Sequence, residues 1–245
     1  MRVAAGIFQI YVTLVGRVSM RRVNIRTMQK LISGLSQFQK SDYQHKQSLF
    51  AELAHGQSPH TLFITCSDSR IDPNLITRSD PGDIFVLRNA GNLIPRKGQA
   101  SGEAATIEYA IKALKVQDIV VCGHSGCGAM NAVLQAGSCD ELPAVAAWLQ
   151  NTDGLTQRTL QRNGEQSPER MLELVIQENV RMQLENLEAM RCVADALSSD
   201  QVQLHGWAYD IGSGNVEMLD REQDAFVPLS EATFGEIDGS TSGYA

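Results

Sequence analysis

The sequence predicts an α/β fold: a single domain with a mostly parallel central sheet flanked by helices, an N-terminal helical arm, and a C-terminal hairpin at the sheet edge. Three observations predict it. First, Thr61-Leu62-Phe63-Ile64-Thr65, Ile84–Leu87 and Asp118-Ile119-Val120-Val121-Cys122 are short unbroken apolar runs, the pattern of strands buried on both faces. Second, stretches of helical period alternate with these runs, as they do in β-α-β units. Third, two further strand-like runs near the carboxyl end flank Gly212-Ser213-Gly214, the composition of a hairpin turn.

Taken in order, Leu31, Leu35 and Phe38 mark one face of a helix that begins near Met28, and Ser41 is expected to open a second, ending near Gly56. Strand Thr61–Thr65 leads into a loop at Cys66 and a turn-rich connection through Pro73 and Pro81-Gly82. Strand Ile84–Leu87 exits at Arg88-Asn89-Ala90-Gly91-Asn92. Gly102 to Val116 reads as a helix, with Ile107, Ala110, Ile111 and Leu114 at core-face spacing. Strand Ile119–Cys122 delivers His124, and Cys127 to Gln135 reads as the next helix. Ser167-Pro168 is a strong start signal, with Ser as N-cap and Pro at the first helical position, for a helix running to about Met190. Residues 202–209 and 215–219 supply the hairpin. The domain thus spans 28–220, and 221–245 reads as a polar tail.

Bulk properties narrow the function. With 245 residues, the chain can bury one substantial core. A net charge of −7 argues against nucleic acid as a partner, since nucleic-acid binders carry a basic face. Five cysteines, odd in number and widely spaced, make no disulfide framework and suit a reducing, cytoplasmic setting with some thiols used for metal. Residues 1–27 stand apart, being rich in Arg and free of Asp and Glu. The apolar stretch within them is too short to span a bilayer and lacks a small-residue cleavage site. It reads as a targeting segment for export or an organelle, as an arm touching a membrane surface, or as a stretch upstream of a true start at Met28.

The chemistry lies in two clusters. Cys66-Ser67-Asp68-Ser69-Arg70 follows one apolar strand, and Gly123-His124-Ser125-Gly126-Cys127-Gly128 follows another. Together they offer two thiolates, an imidazole and a carboxylate, all ligands for tetrahedral zinc. Ligand sites in open α/β sheets form at the carboxyl ends of strands, where both clusters fall. A lone Cys after a strand is usually a small buried hydrophobe, and Cys122, Cys139 and Cys192 take that reading. His205, inside a strand beside Trp207, is expected to be packed or cross-strand paired.

The conjunction of C-x-D-x-R after one strand with G-H-x-x-C-G after the next but one closely resembles the β-class carbonic anhydrases. The flanking Ile71-Asp72-Pro73, Gly82–Asn92 and Ile107-Glu108-Tyr109-Ala110 agree, and the pattern is most similar to the cyanobacterial and plant-like branch. The resemblance implies a zinc lyase, with one Zn²⁺ per chain, that hydrates carbon dioxide to bicarbonate and a proton through zinc-bound hydroxide. It also implies a homodimer or higher homo-oligomer. Cys66, His124 and Cys127 match the family's constant ligands, and Asp68 and Arg70 its acid–base dyad, with Asp68 able to join zinc in a closed state. Gln57, Phe85 and Tyr109 match its substrate pocket; by themselves they would read as a helix-end residue and two core aromatics. Two alternatives share these ligands. One is a closed-site zinc protein with a regulatory or structural role. The other is a hydrolase acting on a sulfur analogue of carbon dioxide.

Overall fold

A computed structural model describes residues 25–229 except 97, 99 and 136; most of the Arg-rich extension and the tail from residue 230 lie outside the described residues. The chain divides after Gly56 into two compact units. The first comprises α1 (Ile25–Gln37), a π-helical turn over Phe38–Asp42, α2 (Tyr43–His45) and α3 (Gln47–Leu53). Ser41 does not open a new helix. It lies inside the continuous π turn, where its carbonyl bonds His45 Nδ1 at 2.9 Å. Three aromatic rings fasten the turn: Tyr43 stacks on Phe50 at 5.2 Å, and Phe38 meets each edge-on. Met28, Leu31, Ile32 and Leu35 recur at i, i+3, i+4 and i+7 on α1, and each is more than half exposed.

The second unit carries the sheet. Its strands are β1 (Thr61–Cys66), β2 (Ile84–Asn89), β3 (Asp118–His124), β4 (Gln203–Tyr209), β5 (Val216–Asp220) and β6 (Ala225–Pro228), in spatial order β2-β1-β3-β4-β5-β6. The first four are parallel, and β5 and β6 fold back antiparallel at one edge. The segment after Asp220, expected as a polar tail, thus begins with a sixth strand; Ala225, Phe226 and Val227 find a half-buried place beside β5 that their short run did not announce.

Helices cover the sheet. Asp72 caps α4 (Pro73–Thr77) with Pro73 at its first position, so the turn-rich connection holds a helical turn. Ser101 Oγ accepts from the Ala104 N–H to start α5 (Gly102–Tyr109), which passes into a π turn over Ala110–Leu114. Next come α6 (Gly128–Leu134), α7 (Pro143–Leu149) and α8 (Leu155–Asn163), followed by α9 (Pro168–Glu188) and α10 (Arg191–Ser198). Ser167 and Pro168 start α9 as the sequence predicts. Val180, Leu184 and Leu187 of α9 bury against Leu62, Ile64 and Val121. The helix lies so close that a Cβ on Gly206 of β4 would fall 2.8 Å from Val180 Cγ1 and 2.9 Å from Leu184 Cδ1.

A charge network binds this helix to its neighbours. Glu178 of α9, 1% exposed, receives Arg158 Nε at 3.0 Å and pairs with Arg162 Nε at 3.2 Å, both from α8. Arg158 also grips Glu185 through two bonds of 2.7 Å. Asp224, in the β5–β6 turn, pairs with both Arg162 and Arg181. The outer hairpin is therefore tied to α8 and α9 by ions as well as by packing. No helix among the described residues is long and apolar enough to cross a membrane.

Candidate metal centre

β1 and β3 are adjacent and parallel, with Thr65 opposite Cys122, so both chains leave the sheet side by side. Cys66 ends β1, His124 ends β3, and Cys127 immediately precedes α6. Their donor atoms all lie within 4.8 Å of one another, and all three residues are buried. The turn that carries the last two is held to β4: Ser125 N–H donates to the Tyr209 carbonyl, and Ser125 Oγ accepts from Ile211 N–H, each at 2.9 Å.

The donor set fits a zinc ion. His124 Nδ1 lies 3.0 Å from the Ser125 carbonyl. A carbonyl only accepts, so Nδ1 carries the proton and Nε2 keeps a free lone pair. That Nε2 is fully buried without a hydrogen-bond partner, a costly state for a ring nitrogen unless it ligates. Two sulfurs and one imidazole nitrogen are the soft and borderline donors that Zn²⁺ takes in sites keeping a fourth position for water or substrate. The Cys66 thiol is drawn down, first by the Cys127 thiol and further by the Gly91 N–H, against burial. Cys127, as the donor in that contact and itself buried, is pushed upward.

Asp68 and Arg70 stand beside the cluster. Arg70 Nε and Nη2 grip Asp68 Oδ1 and Oδ2 at 2.9 and 2.8 Å, and the Arg70 backbone N–H adds a third bond at 3.0 Å. This guanidinium holds the Asp68 carboxyl well below the usual carboxylate range. Arg70 Nη2 also reaches the Gly126 carbonyl at 3.0 Å, joining the two ligand loops. Asp68 Oδ2 lies 4.0 Å from His124 Nε2.

Within one chain, Gln57, Phe85 and Tyr109 do not join this group. Phe85 pairs in register with Leu62, four residues before Cys66, which puts it about 13 Å away along the sheet, at the amino ends of the strands. The Phe85 and Tyr109 rings lie 6.1 Å apart, and Tyr109 is 49% exposed. Gln57, also exposed, precedes β1 at that same end. Of the remaining cysteines, Cys122 is fully buried and pushed up to about 12 by desolvation, as a packed thiol should be. His205 is cross-strand paired as expected, with Nε2 2.7 Å from Asp118 Oδ1.

Sequence reading passed over several supports. Arg88 of β2 donates Nε to the Cys66 carbonyl at 3.0 Å and Nη2 to the Asp68 carbonyl at 2.6 Å, clamping the loop between ligand and acid. Gly91 donates its N–H to Cys66 Sγ at 3.4 Å. Its φ of +81° and a virtual Cβ only 3.0 Å from Ala129 Cβ admit no side chain there. The Arg88–Asn92 strand exit was the one available signal for these two.

The sheet and its buried Cys-His-Cys cluster define an α/β protein with a candidate metal site at the strand ends. Residues 61–216 match the family model described as carbonic anhydrase. A carbonic anhydrase of Pseudomonas aeruginosa is 45% identical over 206 residues, covering 83% of this chain and 93% of that one. One from Synechocystis is 45% identical over 202 residues, covering 82% and 74%. Among solved structures, the β-carbonic anhydrase CcaA superposes with a TM-score of 0.80 at 44% identity, covering 83% of this chain and all of that one. A tetrameric β-carbonic anhydrase of Sordaria macrospora gives 0.71 at 27%, covering 84% and 100%. The chain belongs to the β-class carbonic anhydrases, and its activity is that of a carbonic anhydrase.

Proposed function

We propose that this enzyme interconverts carbon dioxide and bicarbonate at a Zn²⁺ held by Cys66, His124 and Cys127, with Asp68 and Arg70 serving the reaction beside it. The observation that carries the reading is the buried, unpartnered His124 Nε2 set among two thiol sulfurs and an ionised carboxylate. When bound, the zinc supplies Lewis acidity, which lets water lose a proton near neutral pH.

The chain's own residues do the rest. Asp68 Oδ2 accepts one bond from Arg70 and keeps acceptor capacity 4.0 Å from the histidine donor atom, where it orients the attacking water. A carboxylate held this far below its usual range accepts a hydrogen bond without keeping the proton. Arg70 holds both carboxylate oxygens, and this grip keeps Asp68 from turning onto the metal. That supports the open site over a closed structural one.

The substrate pocket of Gln57, Phe85 and Tyr109 then needs a second copy of the chain. These residues sit at the wrong end of their own sheet, with exposed surface awaiting a neighbour. The apolar stripe of α1 is a second surface that one chain leaves uncovered. The working unit is accordingly a homodimer or a larger assembly of dimers. Stopped-flow CO₂ hydration on zinc-quantified protein tests the reading: about one zinc per chain and turnover proportional to zinc are expected. Full turnover in zinc-free protein would overturn it.

A further inference from the structure

The Cys66 sulfur is held by more than its own strand. A backbone donor to it is the N–H of the Ala90–Gly91 peptide, at 3.4 Å. The carbonyl of that same peptide, on Ala90, accepts Trp148 Nε1–H from α7 at 2.8 Å. The next carbonyl, on Gly91, accepts Asn179 Nδ2 from α9 at 3.0 Å. Asn179 is in turn fixed by Gln183, one helical turn on, which donates Nε2 to Asn179 Oδ1 at 2.9 Å. Gln183 Oε1 accepts the Ile94 N–H at 2.8 Å and Asn186 Nδ2 at 3.0 Å, closing the far end of the loop. Asn179 and Gln183 are 1% and 0% exposed.

Two fully buried amide side chains on the main core helix are an expensive way to hold a loop unless its backbone must face one way. The bond the loop presents is the one on a ligand sulfur. Donation from Trp148 into the Ala90 carbonyl polarises that peptide and strengthens its N–H as a donor. A hydrogen bond on a thiolate draws charge off the sulfur, and outer partners of this kind tune a metal through its ligands.

We propose that Trp148 and the buried Asn179–Gln183 pair are positioning residues that fix the Gly91 N–H on Cys66 Sγ and so set how strongly this thiolate donates to the metal. The inference rests on the metal-centre reading above and is testable apart from turnover.

The experiment uses the full chain loaded with Co²⁺, whose sulfur-to-metal charge-transfer absorption reports thiolate donation directly. The parent protein should show this band. Its absence would sink the metal centre itself, a failure distinct from that of the positioning role. In Trp148→Phe, which keeps a ring and loses the N–H, the band should move to longer wavelength at unchanged cobalt stoichiometry, as an unrestrained sulfur gives up charge more easily. Asn179→Leu should move it the same way. Leu149→Ala, which loosens α7 packing without touching the peptide, should leave it in place. An unmoved band in folded Trp148→Phe overturns the proposal, whether or not Asn179→Leu folds. An equal shift in Leu149→Ala overturns it too, by assigning the effect to packing.

Discussion

The two ends of the parallel strands in this sheet are built to different standards. At the carboxyl ends, one chain assembles everything: three buried donor atoms, a carboxylate gripped by three hydrogen bonds, and Arg70 and Arg88 tying the ligand loops. At the amino ends, Gln57 and Tyr109 stand exposed, and Phe85 is half-buried beside Tyr109. On the proposed reading, the difference follows from what each end does. A metal needs its donors fixed within fractions of an ångström, which covalent proximity and buried hydrogen bonds provide. A wall for a small uncharged substrate needs only dry, apolar surface, and a second subunit can bring that as a rigid body.

The largest expected effect is at the finished end. His124→Ala or Cys127→Ala removes one of three donors, so zinc content should fall from about one per chain to a small residue and hydration to background. Inductively coupled plasma analysis beside the stopped-flow assay reads both, and full zinc in Cys127→Ala would contradict the ligand set.

Next in size is Arg70→Ala. Arg70 is no ligand, so zinc should remain, but Asp68 loses its anchor and is free to turn onto the metal. Hydration should fall about 10- to 100-fold, the range for losing an outer-shell partner. Parent-like turnover at equal zinc content would remove the gate from the mechanism.

At the unfinished end, Gln57→Ala or Phe85→Ala should lower kcat/KM by about tenfold while leaving zinc and the Asp68–Arg70 pair intact. Complementation sharpens the comparison. If the pocket crosses between copies, mixing inactive Cys127→Ala with Phe85→Ala should restore parent-like sites in mixed dimers, about a quarter of all sites for random pairing. Activity no greater than the sum of the two would place the pocket within one chain.

The smallest effect concerns pH. Because Arg70 depresses the Asp68 pKa, the carboxylate is ionised throughout the neutral range. The contribution of the pair is fully present above the unfolded carboxyl pKa of about 3.9 and is lost only as pH falls through the lower folded value. Activity is expected to rise with pH across neutrality, and that rise should belong to the nucleophile. Asp68→Asn should lower the plateau without moving the midpoint, and a midpoint shift of a full unit would make Asp68 the titrating group.

By itself the sequence determined five of the six strands among the described residues, and the order and donor chemistry of the Cys-His-Cys cluster. Strand β1 was legible because its apolar run is unbroken, and α9 because Ser167 and Pro168 mark its start. Cys66, His124 and Cys127 were legible because their types and spacing suit one ion, and local spacing survives folding. Helices α7, α8 and α10 and strand β6 were not read, because short elements owe their form to tertiary packing more than to propensity. Only the tertiary structure decided where Gln57, Phe85 and Tyr109 fall and which groups stand behind the Cys-His-Cys cluster. Phe85 lies nineteen residues from Cys66 in sequence, a number silent on which end of the sheet it occupies; the parallel register with Leu62 settles that. Trp148, Asn179 and Gln183 carry no motif, since a hydrogen bond to a loop carbonyl asks for a donor at one point in space and leaves no trace in spacing along the chain.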